Sequence, residues 1–365
     1  MSAITSSSID VEDVLLADGG GAPALPAPGL RIAALGGGTG LPVLLRGLKA
    51  RLHAGVDSRP DASEPDRLTA IVTAADDGGS SGRLREAYRV LPPGDIRNCL
   101  LALSDCDPTL SAIFGFRFAG DAGVGGHSLG NLILAALSEL ERDFLGAVER
   151  ATRMLAVRGR VLPATLDDVR LAAEFTDRTR VEGESRIAAA GRTIRRVSLV
   201  PADVRALPEA RDAIAAADLV LLGPGSLYTS VIPVLLVRGL AEAVATTRAR
   251  VVLVMNLMSE PGETDGYTAA DFVRAIADHA PGVAIDDVLL NTAPVPEERI
   301  VRRRGRGAHV IAADSERLIA LGCRPVERDL LGADPSIRHD PDKLARAVIE
   351  LAAEPVAPGP EALAR

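Results

Sequence analysis

Short apolar runs rich in β-branched residues recur along the chain at 31–35, 68–74, 195–200, 218–222, 251–255 and 288–291. Between them, apolar positions repeat at helical spacing over 41–52, 128–140, 144–157, 208–217, 227–246, 269–280 and 341–351. Runs that are apolar at nearly every position fit strands buried on both faces. Alternating with helices, they predict an α/β domain over 30–353, with a mainly parallel sheet flanked by helices. The stretch 160–192 has shorter extended pieces and few helical signals, and reads as a small β insertion or subdomain. Residues 1–29, rich in Ser, Gly, Ala and Pro, and 354–365 read as flexible tails.

Composition narrows the function. The 365 residues carry 41 Lys+Arg against 49 Asp+Glu, a formal charge of −8, which argues against a general binder of polyanions. Aromatics make up 2% of the chain, too few for base-stacking platforms, so no nucleic-acid partner is expected. Lys49 and Lys343 are its lysines, and neither lies in a P-loop pattern. Cys99, Cys106 and Cys323 form no CxxC pair and read as buried thiols of a reducing compartment. The stretch before Arg31 has acids but no Lys or Arg, unlike a signal peptide. The most membrane-like segment, 213–237, is interrupted by Gly223-Pro224-Gly225 and fits a buried strand followed by a helix better than a membrane span. A cytoplasmic location is expected.

Candidate chemistry sits in the loops after the strands, where open α/β sheets place their ligands. Gly36, Gly37, Gly38, Thr39 and Gly40 follow the first strand and open a helix, a pattern suited to phosphate. It is neither G-x-G-x-x-G nor a P-loop. Asp76 and Asp77 follow the second strand. If that strand ran through both, one would face the cleft and take hydroxyls, with Ser80 and Ser81 in an anion nest and Arg83 or Arg85 reaching a phosphate. Asp95 is placed to cap a helix over 99–103, with Arg97 and Asn98 as functional candidates. His127 is a proton carrier or a hydrogen-bonding loop residue, Ser128 a cap, and Asn131 a weak helix former that invites close approach. Gly223, Gly225, Ser226 and Leu227 repeat the logic of the first loop, with Ser226 as cap. Asn256 and Tyr267 follow the next strand, and Arg302 and Arg303 belong to a basic cluster suited to clamp a diphosphate. There is no HExxH, nucleophile elbow or Cys–His pair, so no catalytic residue is assigned.

Six ordered motifs, GGGTGL (36–41), ADDGGSSGR (75–83), PGDIRN (93–98), GHSLGNL (126–132), GPGSLYTS (223–230) and GET (262–264), strongly resemble the YvcK/GlmR family. These gluconeogenesis factors belong to the CofD-like superfamily, and the likeness runs over 31–351. The resemblance implies a Rossmann-like CofD fold in a cytoplasmic bacterial protein that binds UDP-sugars, notably UDP-N-acetylglucosamine, and requires no cofactor. It implies a link between carbon metabolism, cell-wall precursor synthesis and cell shape through glucosamine-6-phosphate synthase. Regulation by a Ser/Thr protein kinase and self-association are further implied partners. In that family a tyrosine after the GET motif and a later arginine serve the UDP-sugar site; they fall at Tyr267 and in the 302–304 region.

On this reading, amides of 36–40 and 225–227 cradle a diphosphate, Asp76 or Asp77 accepts from hydroxyls, and Asn131 or Asn256 reads amide or uracil edges. The main alternative is a Mg²⁺-dependent transferase of the CofD type, moving a phospholactyl-type group to a deazaflavin, or a uridylyltransferase. An NAD-dependent oxidoreductase follows only from the glycine loop, whose third glycine is misplaced.

Overall fold

In the central strands, alternate side chains enter two different cores. Ala33, Leu35, Ile71, Val220, Leu222, Val251 and Leu253 join one apolar cluster. Their neighbours Ile32, Ala34, Leu68, Ala70, Leu219, Leu221 and Val252 join the other. A strand can be apolar at every position only when both sides are covered, so this two-sided burial explains the runs seen in the sequence. The computed structural model describes residues 29–53, 67–120, 122–304 and 307–355, and of 302–304 the backbone alone. The segments read as flexible tails lie outside these residues, apart from Gly29, Glu354 and Pro355.

The strands are β1 (Ile32–Gly36), β2 (Leu68–Val72), β3 (Arg160–Pro163), β4 (Arg170–Phe175), β5 (Arg180–Glu182), β6 (Ile194–Val200), β7 (Leu219–Leu222), β8 (Arg250–Val254), β9 (Asp287–Asn291) and β10 (Arg324–Arg328). Seven form a parallel sheet in the order β10-β9-β8-β7-β1-β2-β3. The chain winds one way from β1 through β2 to β3, then returns to pair β7 with the opposite edge of β1 and winds outward to β10. The strand order therefore reverses between β1 and β7, where a doubly wound sheet opens a crevice at its carboxyl edge. The helices Gly40–Leu52 and Pro341–Ala353 pack together on one face. The other face is covered by Ala269–His279, by Pro208–Ala215 and by a small antiparallel sheet, β5-β4-β6.

Several expectations need correction. The run at 195–200 is a strand of the small sheet, not of the main one; its burial alternates because only one face meets the core. Residues 160–163, read as part of the insertion, are the edge strand of the main sheet, so the small sheet spans 170–200 and includes a helix at Glu184–Ala190. The single helix expected over 227–246 is three pieces: a π-helical turn at Leu227–Val231, then Ile232–Leu236 and, after the left-handed Gly239, Leu240–Thr246. The loop expected after Asp77 winds into the helix Gly79–Tyr88, and Gly94–Leu103 starts five residues earlier than expected. Cys99 and Cys323 are buried as expected, but Cys106 is only partly buried, and all three are free thiols. No helix among the described residues is long and apolar enough to cross a membrane.

Candidate functional site

The glycine loops after β1 and β7 meet at the strand-order reversal. A Cβ on Gly40 would lie 2.6 Å from the Pro224 carbonyl oxygen, so only glycine lets the two turns close on each other. Gly38 adopts φ +66°, the left-handed region that glycine occupies without strain. Above these turns lies a hollow of ≈ 180 Å³ lined by Gly38, Thr39, Gly40, Val43, Pro224, Gly225, Ser226, the 256–258 segment, Glu260 and Ile337 to His339. Two helical segments start at its edge, Gly40–Leu52 and the π-turn at Leu227. Neither Thr39 nor Ser226 caps its segment with a side-chain hydrogen bond, which corrects the capping role expected of Ser226. The Ser226 carbonyl instead accepts from both Ser230 and Val231 amides, each at 3.0 Å. Amides at uncapped helix starts suit an anion, through their donors and the partial positive charge of the helix end.

Asn256 does not read a ligand edge as expected. Its Oδ1 accepts from the Gly225 amide at 3.2 Å and its Nδ2 donates to the Gly225 carbonyl at 2.9 Å, so it clamps the second glycine turn. Gly36 and Gly223 face one another beneath the hollow, and Leu227 is buried in the core. Gly37 sits over Asp95.

A second polar centre lies beside the hollow, at the tip of β2. Because β2 ends at Val72, strand alternation does not decide which aspartate faces the cleft. Asp76 Oδ1 accepts from the Gly78 amide at 2.8 Å, while Asp77 Oδ1 accepts from the Ser185 amide at 2.9 Å and ties this loop to the small-sheet insertion. Asp95 is not a cap: Pro93 precedes the helix, and Asp95 Oδ2 accepts from the Gly38 amide at 2.7 Å. Burial, reinforced by Asp76, pushes the Asp95 carboxyl up to about 6. Burial pushes Glu184, hydrogen-bonded to Asp76, up to about 9, so at neutral pH it holds a proton.

Arg97 donates to Asn131 Oδ1 at 2.7 Å and to Asn98 Oδ1 at 2.6 Å. Asn131 Nδ2 donates to Ser80 Oγ at 3.0 Å, and Ser80 Oγ lies 3.0 Å from His127 Nδ1. Ser81 Oγ accepts from the Gly94 amide at 3.2 Å. Asn131 is thus bonded within the protein on both sides of its amide and is not left to read a base. Burial and the nearby Arg83 and Arg117 hold His127 below the usual histidine range. The expected phosphate arginines are likewise engaged. Arg85 is buried against Asp168 and the Val169 carbonyl, and Arg83 donates to the Gly125 carbonyl at 2.8 Å. Ser128 does not cap its helix; its hydroxyl donates to the Phe114 carbonyl at 3.3 Å.

Tyr267 does not line the hollow. Its hydroxyl lies 2.8 Å from that of Tyr228, and its ring packs edge-on against Tyr228 and Phe272. Beside that pair, Thr229 bonds to the buried Glu263, whose carboxyl burial raises to about 8. The side chains of Arg302 and Arg303 lie outside the described residues. The sequence reading missed Glu260 and the segment 337–339. The latter was findable: Asp340 and Pro341 form a helix start, which makes Ile337, Arg338 and His339 the loop in front of it.

Two glycine turns at the reversal point of a doubly wound sheet, with a hollow above them, define an α/β protein of the Rossmann-like type. Comparison with known proteins gives the particular family. The profile described as "2-phospho-L-lactate transferase CofD" matches residues 32–331. The gluconeogenesis factor of Bacillus subtilis (strain 168) is 45% identical over 325 residues, covering 89% of this chain and 98% of that protein. That of Halalkalibacterium halodurans is 43% identical, covering 87% and 95%. A crystal structure of a Bacillus halodurans protein superposes with a TM-score of 0.81 at 43% identity, covering 88% of this chain and 99% of that one. The chain belongs to the CofD-like family, in its gluconeogenesis-factor (YvcK) branch.

Proposed function

We propose that the chain is a UDP-sugar-binding regulator, with UDP-N-acetylglucosamine as its ligand, that couples gluconeogenic growth to cell-wall precursor synthesis and cell shape. The observation that carries the reading is the pair of uncapped, glycine-opened helix starts converging on one hollow at the sheet reversal. The diphosphate would lie on the amides of 39–40 and 226–227, since those of Gly38 and Gly225 already donate to Asp95 and Asn256. Glucosamine-6-phosphate synthase and a Ser/Thr kinase belong to this proposal as protein partners.

Calorimetry with UDP-N-acetylglucosamine tests it. Saturable heat is expected, along with stabilisation of about 2.7 kcal/mol at one hundred times the dissociation constant. Gly40→Val, which drives a side chain into the Pro224 carbonyl, should abolish that heat in a chain still folded by circular dichroism. No heat from the folded wild type at millimolar ligand overturns the reading.

A second reading, a transferase of the CofD type or a uridylyltransferase, is favoured by the carboxylates Asp76, Asp77 and Asp95 at the β2 tip. Mg²⁺ is not assigned to these acids, because no group of three His, Cys, Asp or Glu side chains placed to hold a metal ion gathers among the described residues. No step through a metal is therefore derived. Product formation from UTP and a sugar phosphate with added Mg²⁺, lost in Asp77→Ala while binding persists, would establish this reading instead.

A further inference from the structure

The helix Leu129–Glu141 departs from the rule that a surface helix is polar on its outward side. Its inward side is fixed by the buried Gly130, Asn131, Leu134 and Ala135. At about 100° per residue, the opposite side carries Leu129, Leu132, Ile133, Ala136 and Leu140, with Glu139 at its margin. Leu140 is 77% exposed, Ala136 is exposed, and the other three are half-buried. A single exposed leucine carries no message, but an apolar stripe along a whole outward face does.

The stripe continues past the start of the helix. The Leu129 amide donates to the Phe116 carbonyl at 2.8 Å, which holds the segment 116–118 beside it. Of the six phenylalanines in the chain, four are buried. The other two are Phe116, 52% exposed, and the half-buried Phe118, whose rings meet edge-on with centroids 5.1 Å apart. Ile113, 41% exposed, extends the patch onto the helix Pro108–Gly115, whose buried residue is Phe114. Among the described residues nothing covers Leu140, Phe116 or Ile113.

The charges at the margin say what fits this face, since an interface core is apolar and its rim polar. Arg117 stands at one end, paired with Ser128 in an antiparallel bridge and donating to the Gly126 carbonyl at 2.7 Å. Glu139 stands at the other end, about 15 Å along the helix axis. Neither has an ion-pair partner among the described residues. A second copy of the chain, turned end for end about a two-fold axis, meets both charges with their opposites and lays one apolar stripe along the other. Arg142, just past the end of the helix, is carried beyond Arg117 by the same operation. A parallel copy would set like charges together.

We propose that the outward stripe of Leu129–Glu141, with Phe116 and Ile113, is a two-fold interface between two copies of this chain. The helices run antiparallel, and Glu139 pairs with the partner's Arg117. None of these residues is among those lining the hollow, so the proposal stands or falls independently of the ligand.

Sedimentation equilibrium of the full chain, 38.0 kDa per copy, tests it. Wild type is expected at twice that mass at micromolar concentration. Leu140→Asp, at a side chain exposed in the single copy, should leave the circular dichroism spectrum unchanged and weaken the dimer at least tenfold, roughly what one buried leucine contributes. Glu139→Arg and Arg117→Glu should each weaken it roughly fivefold, and the double variant, which exchanges the charges, should recover wild-type affinity within about twofold. Wild type that stays monomeric at about 100 μM, a dissociation constant too weak for a stable dimer, overturns the proposal and leaves the patch to another segment of the chain or another protein. A dimer unchanged in Leu140→Asp is built on another face and overturns it as well. A dimer lost in Leu140→Asp but indifferent to both single charge variants, or not recovered by the double variant, overturns the antiparallel pairing and the proposal with it.

Discussion

The hollow and the β2 tip lie side by side at the same sheet edge, yet they are built from different material. Around the hollow the polar groups are mainly backbone, presented by glycine turns and helix starts, and the exposed rim holds little side-chain bonding. At the β2 tip the polar groups are side chains bound to one another: Arg97 to Asn131 and Asn98, Asn131 to Ser80, Ser80 to His127, Glu184 to Asp76. A network satisfied from within serves stability, and removing one member strands its partners. At the rim of the hollow the Thr39, Gly40, Ser226 and Leu227 amides head their segments without a side-chain cap. Polar motifs read in sequence as one ligand cleft thus divide, in the fold, into a side-chain network and a backbone-lined hollow.

The sharpest way to break this division is Arg97→Ala. Hydrogen bonds to a charged group are worth about 1.5–3 kcal/mol each, so losing both should cost about 3 kcal/mol of unfolding free energy in urea titrations. Ligand affinity of the folded fraction should stay within about threefold if the β2 tip is scaffold; a large affinity loss with little destabilisation would reassign it to the ligand site.

A smaller effect is expected from Glu184→Gln. The folded chain holds the Glu184 proton up to about pH 9, whereas an ordinary glutamate releases it near 4.5. The Glu184 contribution to stability is therefore fully present below about 4.5 and falls as pH rises toward about 9. Glutamine keeps the hydrogen bond to Asp76 without needing a proton. Its melting temperature should match wild type at pH 4 and exceed it at pH 8 by on the order of 2 °C. Equal melting curves at both pH values would show that Glu184 is not held neutral.

The smallest effect belongs to Ser226→Ala. A working helix cap is worth about 1 kcal/mol, but the Ser226 side chain makes no capping bond. Chemical denaturation should shift by no more than a few tenths of a kcal/mol, and a loss near 1 kcal/mol would mean that the hydroxyl caps after all.

Much of this arrangement was legible in the chain. The core strands at 32–36, 68–72, 219–222 and 250–254 carry unbroken apolar runs because both faces are buried, and those runs are hard to miss. β10 was missed because its sequence, Arg-Pro-Val-Glu-Arg, lies at a sheet edge and needs only one buried side chain, Val326. The helix at 79–88 was hidden by its Gly and Ser start, which reads locally as loop. The glycine turns were placed correctly by the strand-end rule. Their contact with each other was not legible, since it depends on β1 pairing with β7 across some 190 residues. Asn131 and Asn256 looked like readers of a ligand because residue type alone cannot show that their amides are already bonded.

The helix Pro341–Ala353 lies so close to the helix behind the first glycine turn that a Cβ on Gly47 would sit 1.9 Å from the Pro341 carbonyl oxygen. Immediately before it come Arg338 and His339. A chain emerging from the ribosome would therefore make the first glycine turn of the hollow early, the second some 190 residues later, and the wall at 337–339 some three hundred residues after the first. The hollow is completed by the same late segment that locks the first helix in place, so incomplete chains would carry only part of its lining.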